Sequence, residues 1–216
     1  SPAGAGTDAP GMALLRSLMR ADLMRAAAEA GVQASSDTAQ ERALSEVMAG
    51  FDVAFQRAPL NGWSGTAITL ESVALLRSLN KPEAALQRLE GIVAGDPDSE
   101  TAALSAGTIR HFAGLVLVAD PYSARANVRA EQAAILCSSL LQRSSWVSDA
   151  ADVRLVDLES AVMIAAMLTK EELKSQLRQS IASAVKSPAV RLELEGVEAG
   201  RASRLWEAID EPDQPR

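Results

Sequence analysis

The chain has 216 residues, 28 acidic against 21 basic side chains for a net charge of −7, and is 48% hydrophobic with only 3% aromatic residues. That length and apolar content support one large folded domain or two small ones and exclude disorder throughout. The acidic balance argues against nonspecific nucleic-acid binding, and no run reaches the roughly 18 apolar residues of a membrane-spanning helix.

Alanine and leucine dominate, β-branched runs are scarce, and no segment reads as a strand. The expected fold is all-α, a helical bundle or short α-solenoid of about eight to nine helices. Residues 1–11, rich in Pro, Ala and Gly, form a disordered N-terminal segment. They resemble the start of a mature exported chain after signal cleavage, and an expression remnant reads the same way. A first helix is expected over 12–30, stopped by Gly31, with Leu14, Leu15, Leu18, Met19 and Leu23 as its apolar face. A second starts near Asp37 or Thr38, where Thr38 and Glu41 have capping-box spacing. Its stripe is Leu44, Val47, Met48, Phe51 and Phe55, and Pro59 with Asn61-Gly62 closes it. The following loop carries Trp63, a candidate binding anchor that also suits a place over the core.

Two short helices follow. Leu70, Val73, Leu76 and Leu79 mark one, and Glu83 to Ala94 make the other, with Pro82 at its first position where the missing N–H is harmless. The run Asn80-Lys81-Pro82-Glu83-Ala84-Ala85-Leu86-Gln87-Arg88-Leu89, followed by Asp96-Pro97, resembles a tetratricopeptide repeat over 66–99. The resemblance implies that Ala85 is the small residue where the paired helices touch, Leu89 the large residue of the second helix, and Pro97 the helix-ending proline. Thr69 and Val73 depart from the pattern, standing where Trp and a small residue are usual. No second copy occurs at the expected period, so the neighbouring helices are degenerate repeats or unrelated ones. The family binds proteins and catalyses nothing, which implies a peptide-holding groove here.

Asp98-Ser99 reads as a cap for a helix reaching about Ala119, with the stripe Ala102, Ala106, Ile109, Ala113 and Val116. After Asp120-Pro121 a long helix is expected over 122–142, with Ile135, Leu136 and Leu140 inside and Arg125 and Arg129 outside. Residues 143–153, with three serines and Trp146, are the candidate internal joint of a single all-helical domain over 12–210. A helix over 152–168 is apolar on most sides and therefore central. Thr169 and Glu172 have capping-box spacing for the next helix, striped by Leu173, Leu177, Ile181 and Ala184. Ser187-Pro188 opens the last helix, which runs to about Ile209 with Gly196 and Gly200 weakening its middle. Residues 211–216 are a frayed tail. From Glu193 onward seven acidic residues face three arginines, so this end carries −4 of the net −7. Such a face is solvated or meets a basic partner.

Catalytic residues, cofactor sites and metal sites are all expected to be absent. His111 is the single histidine and reads as a structural or surface residue, and a two-imidazole zinc site needs a second chain. Cys137 is alone and sits in an apolar run, which excludes an intrachain disulfide and reads as a small buried hydrophobe. Asp96, Asp98 and Glu100 are spaced like calcium ligands but lack the loop glycine and bidentate glutamate. Gly62 to Gly65 lacks the Lys and Ser/Thr of a phosphate loop.

The expected function is therefore a noncatalytic interaction or scaffold protein that binds a protein partner, with Trp63, Leu70, Arg88 and Leu89 as candidate partner-binding residues. In the exported setting it is a bacterial periplasmic assembly factor or chaperone; in a cytoplasmic one it is an adaptor or secretion chaperone. The competing reading is an enzyme of unrecognised family with a pocket between helices, which a deep polar cavity with a perturbed acid would favour. A helical transcription regulator ranks lower, because no basic recognition helix is present. No nucleic acid and no membrane span are expected, and homo-oligomerisation is left open.

Overall fold

The computed structural model describes residues 10–29, 37–61, 65–93 and 104–210. Among them the chain is all-α, without strands. The helices are α1 (Pro10–Glu29), α2 (Asp37–Asn61), α3 (Gly65–Ser78), α4 (Pro82–Val93), α5 (Ala106–Val118), α6 (Ala126–Leu141), α7 (Ala151–Met167), α8 (Glu171–Ala184) and α9 (Pro188–Asp210), with one 3-10 turn at Ser144–Ser148. The chain divides into two compact units, Ser1–Ala102 and Ala103–Arg216. Asp96, Asp98 and Glu100, whose spacing resembles calcium ligands without the rest of the loop, lie outside the described residues, as does Pro97.

In the first unit α1 packs on α2 and α3, α2 packs on α3, and α3 packs on α4. Ala21, Val47, Phe51, Ala54, Ile68 and Leu75 form the centre, with Leu14, Leu18, Leu44 and Met48 packed around it. Helices α1 and α2 approach closely where Gly50 faces Ser17: a Cβ at Gly50 would stand 1.9 Å from the Ser17 hydroxyl and 3.2 Å from its Cβ. This crossing selects which part of the broad apolar face of α1 turns inward. Ser17 and Ala21 are buried, while Leu15, Met19 and Leu23, expected on the same face, are 48%, 59% and 70% exposed. Small residues win the crossing because they allow the helix axes to come together.

The second unit is built around α7, which packs on α5, α6, α8 and α9. Its central position is the one its all-round apolarity predicts. Helix α5 begins later than expected, because Ser105 caps it: the Thr108 backbone N–H donates to the Ser105 hydroxyl at 3.1 Å. Helix α6 follows the expected orientation only in part: Leu140 is buried and Arg125 exposed as expected, and Leu136 is half-buried. Ile135 is exposed and Arg129 is buried, because Ala130, Ala133, Ala134, Cys137 and Ser138 form a small-residue face against the neighbouring helices. Thr169 does not cap α8; Lys170 precedes its first turn without a side-chain cap bond.

The expected joint at 143–153 is instead tightly held, and the division of the chain lies at 102/103. Trp146 is buried, and its indole N–H donates to Asp157 Oδ2 at 3.0 Å. Arg110 Nε donates to both Asp157 oxygens at 2.9 and 3.1 Å, and its Nη2 reaches Asp157 at 2.8 Å and also Asp149. Hydrogen bonding to Asp157 foremost, opposed by burial and helped by Asp149, raises the Arg110 pKa above its ordinary value. Thus α5, the 3-10 turn and α7 are joined through one carboxylate. Arg154, fully buried on α7, stacks over Trp146 at 5.8 Å from the ring centre. Its Nη2 lies 2.7 Å from Glu193 Oε2 but off the hydrogen-bonding direction, and its Nε and Nη1 have no acceptor.

Helix α9 is not straight. Glu198 leaves helical geometry (φ −155°, ψ 88°) between Gly196 and Gly200, the two residues expected to weaken the middle. In a continuous helix Arg191 and Asp210 would stand about 28 Å apart. Here Arg191 Nη2 donates to Asp210 at 3.3 Å, and the Trp206 indole donates to Glu195 at 3.0 Å. The Arg191 guanidinium also lies 4.9 Å over the Trp206 ring. These contacts require the two arms of α9 to fold back against each other at Glu198.

Candidate functional site

Among the described residues of the first unit, a groove of about 450 Å³ lies between α2 and α4. Its α2 wall is Glu41, Leu44, Ser45 and Met48, at helical spacings i, i+3, i+4 and i+7. Its α4 wall is Ala84, Gln87 and Arg88, and Leu76 of α3 lies between the two. Lys81 stands at the entrance to α4. The groove exists because α2 and α4 both lean on α3 without meeting along their length.

The turn at its end is fixed by local chemistry. Helix α3 finishes in a Schellman arrangement: the Lys81 N–H donates to the Leu76 carbonyl at 2.8 Å and the Asn80 N–H to the Arg77 carbonyl at 2.9 Å. Asn80 takes the left-handed conformation this requires, with φ 54°. Pro82 then starts α4, and the Ala85 N–H closes its first bond on the Lys81 carbonyl at 3.1 Å. The Asn-Lys-Pro sequence therefore sets the angle at which α4 leaves α3 and, with it, one wall of the groove.

The lining is apolar at its base and charged at its edge. Leu76 is buried, Leu44, Met48 and Ala84 are half-buried, and Glu41, Ser45, Lys81 and Gln87 are exposed. Arg88 reaches across to Asp52 on α2, an ion pair that spans the two walls one turn beyond Met48. Such a surface can hold apolar side chains of a peptide or helix and orient it through charges at the rim.

Of the four sequence-derived candidates, Arg88 lines this groove. Leu70 is half-buried on α3 and is not among the lining residues. Leu89 is fully buried, packed inside with Ala85 and Leu86, and so is withdrawn from any partner in this structure. Trp63 lies outside the described residues. The remaining lining residues were not singled out by sequence, although Leu44 and Met48 fall on the predicted α2 stripe. Only the tertiary spacing of α2 and α4 marks them as a surface.

The chemistry-bearing residues lie elsewhere. His111 is half-buried on α5, and Cys137 is buried on α6. Burial, assisted by the negative charge of Asp157, pushes the Cys137 thiol up to about 12, which keeps it protonated and unreactive at neutral pH. Among the described residues no three His, Cys, Asp or Glu side chains are grouped to hold a metal ion. No described helix is long and apolar enough to cross a membrane. No protein-family model, curated protein or solved structure matches the chain.

Proposed function

We propose that this chain is a noncatalytic interaction protein whose first unit holds a protein partner in the groove between α2 and α4. The observation that carries the reading is the groove itself, with an apolar base of Leu44, Met48, Leu76 and Ala84 inside a charged rim of Glu41, Lys81 and Arg88. Burial of two or three partner side chains on such a base, at about 25 cal/mol per Å² of apolar surface, gives useful affinity, while the rim charges fix orientation.

The tetratricopeptide likeness belongs to the same proposal. Its support is that α1 with α2 and α3 with α4 pair as consecutive hairpins, while α3 also packs on α1 and α2. Ala85 and Leu89, the small and large residues of the pattern, are both fully buried.

The experiment is a groove-blocking series. Ala84→Arg places a long charged side chain in the groove, and Lys81→Glu reverses the rim. The reading predicts that affinity for the captured native partner falls about tenfold or more with Ala84→Arg while the thermal midpoint moves by only a few degrees. Unchanged affinity in a folded Ala84→Arg chain would refute it.

A further inference from the structure

We propose that the second arm of α9, residues 199–210, exchanges between two copies of this chain, so that each copy's hairpin is closed by the other's arm. One backbone position separates the two forms. Within α9 only Glu198 departs from helical geometry, and the glycines on either side, Gly196 and Gly200, have open space where a Cβ would lie. Returning Glu198 to helical torsions turns the hairpin into a continuous 23-residue helix about 34 Å long. The distal arm then projects away from its own α7.

Apart from the local Arg201–Glu198 pair at the corner, the contacts of that arm with α7 and with the first arm are of a kind that a second copy supplies unchanged. Arg201 grips Glu159 of α7, with Nε to Oε1 at 3.0 Å and Nη2 to Oε2 at 2.5 Å. Trp206 and Asp210 meet Glu195 and Arg191 of the first arm. Ala202 and Leu205 are buried. Exchange keeps every one of these, made now between chains, and adds helical hydrogen bonds across 196–200. Against that stands the loss of free movement of two molecules, so protein concentration decides the balance. The two glycines, poor helix formers beside alanine, hold the chain on the hairpin side. Val197, 45% exposed beside the corner, sits where two straightened helices would cross. The occupant of the vacated place is a second copy because it alone carries the matching arm.

The test uses the full chain, unfolded and refolded at low and high concentration, read by native mass spectrometry. Two charge reversals are made, Glu159→Arg in one chain and Arg201→Glu in another. Each breaks the α7-to-arm pair within its own copy. Mixed and refolded together, an exchanged heterodimer restores one native pair and one reversed pair. The proposal predicts that this heterodimer exceeds either homodimer by about tenfold. The chain carrying both reversals restores the pair in itself and reports that the reversed charges are tolerated. Gly196→Ala with Gly200→Ala is expected to raise the wild-type dimer fraction, and a Gly-Gly insertion after Glu198 to abolish it. Monomers alone at every concentration, a statistical mixture of dimers, or a dimer that survives the insertion would each overturn the proposal.

Discussion

In the first unit ion pairs such as Arg20–Glu46, Arg25–Glu71 and Arg88–Asp52 join side chains that keep contact with solvent, and the centre is apolar, although Glu90 and Ser72 are buried elsewhere in the unit. In the second unit a carboxylate that accepts from several donors goes inside, and so does a guanidinium: Asp157 is 5% exposed and Arg154 is fully buried. The contrast separates two ways of holding helices together. The first unit relies on a close crossing and an apolar centre, and leaves a groove with its charges at the rim. The second spends polar groups on fixing three segments around one carboxylate, which leaves them committed to structure rather than to a ligand.

The largest expected effect breaks the second unit's network. Asp157→Ala removes the acceptor for Arg110 and Trp146 and should cost about 3 kcal/mol of unfolding free energy, measured by denaturant titration. Asp52→Ala, the parallel change at the exposed Arg88 pair, should cost under about 1 kcal/mol. Equal losses would erase the distinction between the units. Next, Gly50→Leu forces α1 from α2 and should cost about 2–3 kcal/mol, while Gly50→Ala is absorbed in large part by rotation of the Ser17 hydroxyl.

A pH titration sharpens the comparison. Cys137 has its folded pKa raised from near 9 to about 12. Below that interval the thiol is protonated in both states and contributes no pH dependence. Within it the unfolded chain ionises first and the folded chain does not, so stability falls as pH rises, by about 1.4 kcal/mol per pH unit. Cys137→Ala should remove that slope, read as the difference between the two chains' unfolding free energies across the interval. A smaller effect than that of Asp157→Ala or Gly50→Leu is expected at the groove's turn. Asn80→Ala should cost about 1 kcal/mol because its φ of 54° disfavours a Cβ without a local hydrogen-bonding partner, whereas Asn80→Gly should be neutral or slightly stabilising.

Much of the fold was legible because helices announce themselves locally. The α2 stripe through Val47 and Phe51, the Asn80-Lys81-Pro82 turn and the Ser187-Pro188 start all carry their signal within a few residues. The α6 orientation was legible in part: Leu140 lies inward and Arg125 outward as the pattern implies, but close packing of its Ala, Cys and Ser face turns Ile135 outward and Arg129 inward. The reversal of α9 was half legible, since glycines mark where a helix is weak but not that Trp206 will find Glu195 and Arg191. The division at 102/103 was not legible, because the sequence shortly before it, Asp96-Pro97-Asp98-Ser99, reads as a repeat's end followed by a helix cap within one domain. Of the groove, Arg88 was legible as a candidate. Its neighbours depend on how far α2 and α4 stand apart on α3, a tertiary quantity that no local pattern encodes.

The most direct measurement is site-specific photocrosslinking in native host cells. A photoreactive side chain replaces exposed Gln87 at the groove or exposed Glu172 on α8 in the second unit. The groove account predicts one dominant protein adduct from position 87, suppressed by Ala84→Arg, and none of that identity from position 172. The same adduct from both positions, or from 87 without regard to Ala84→Arg, would contradict it.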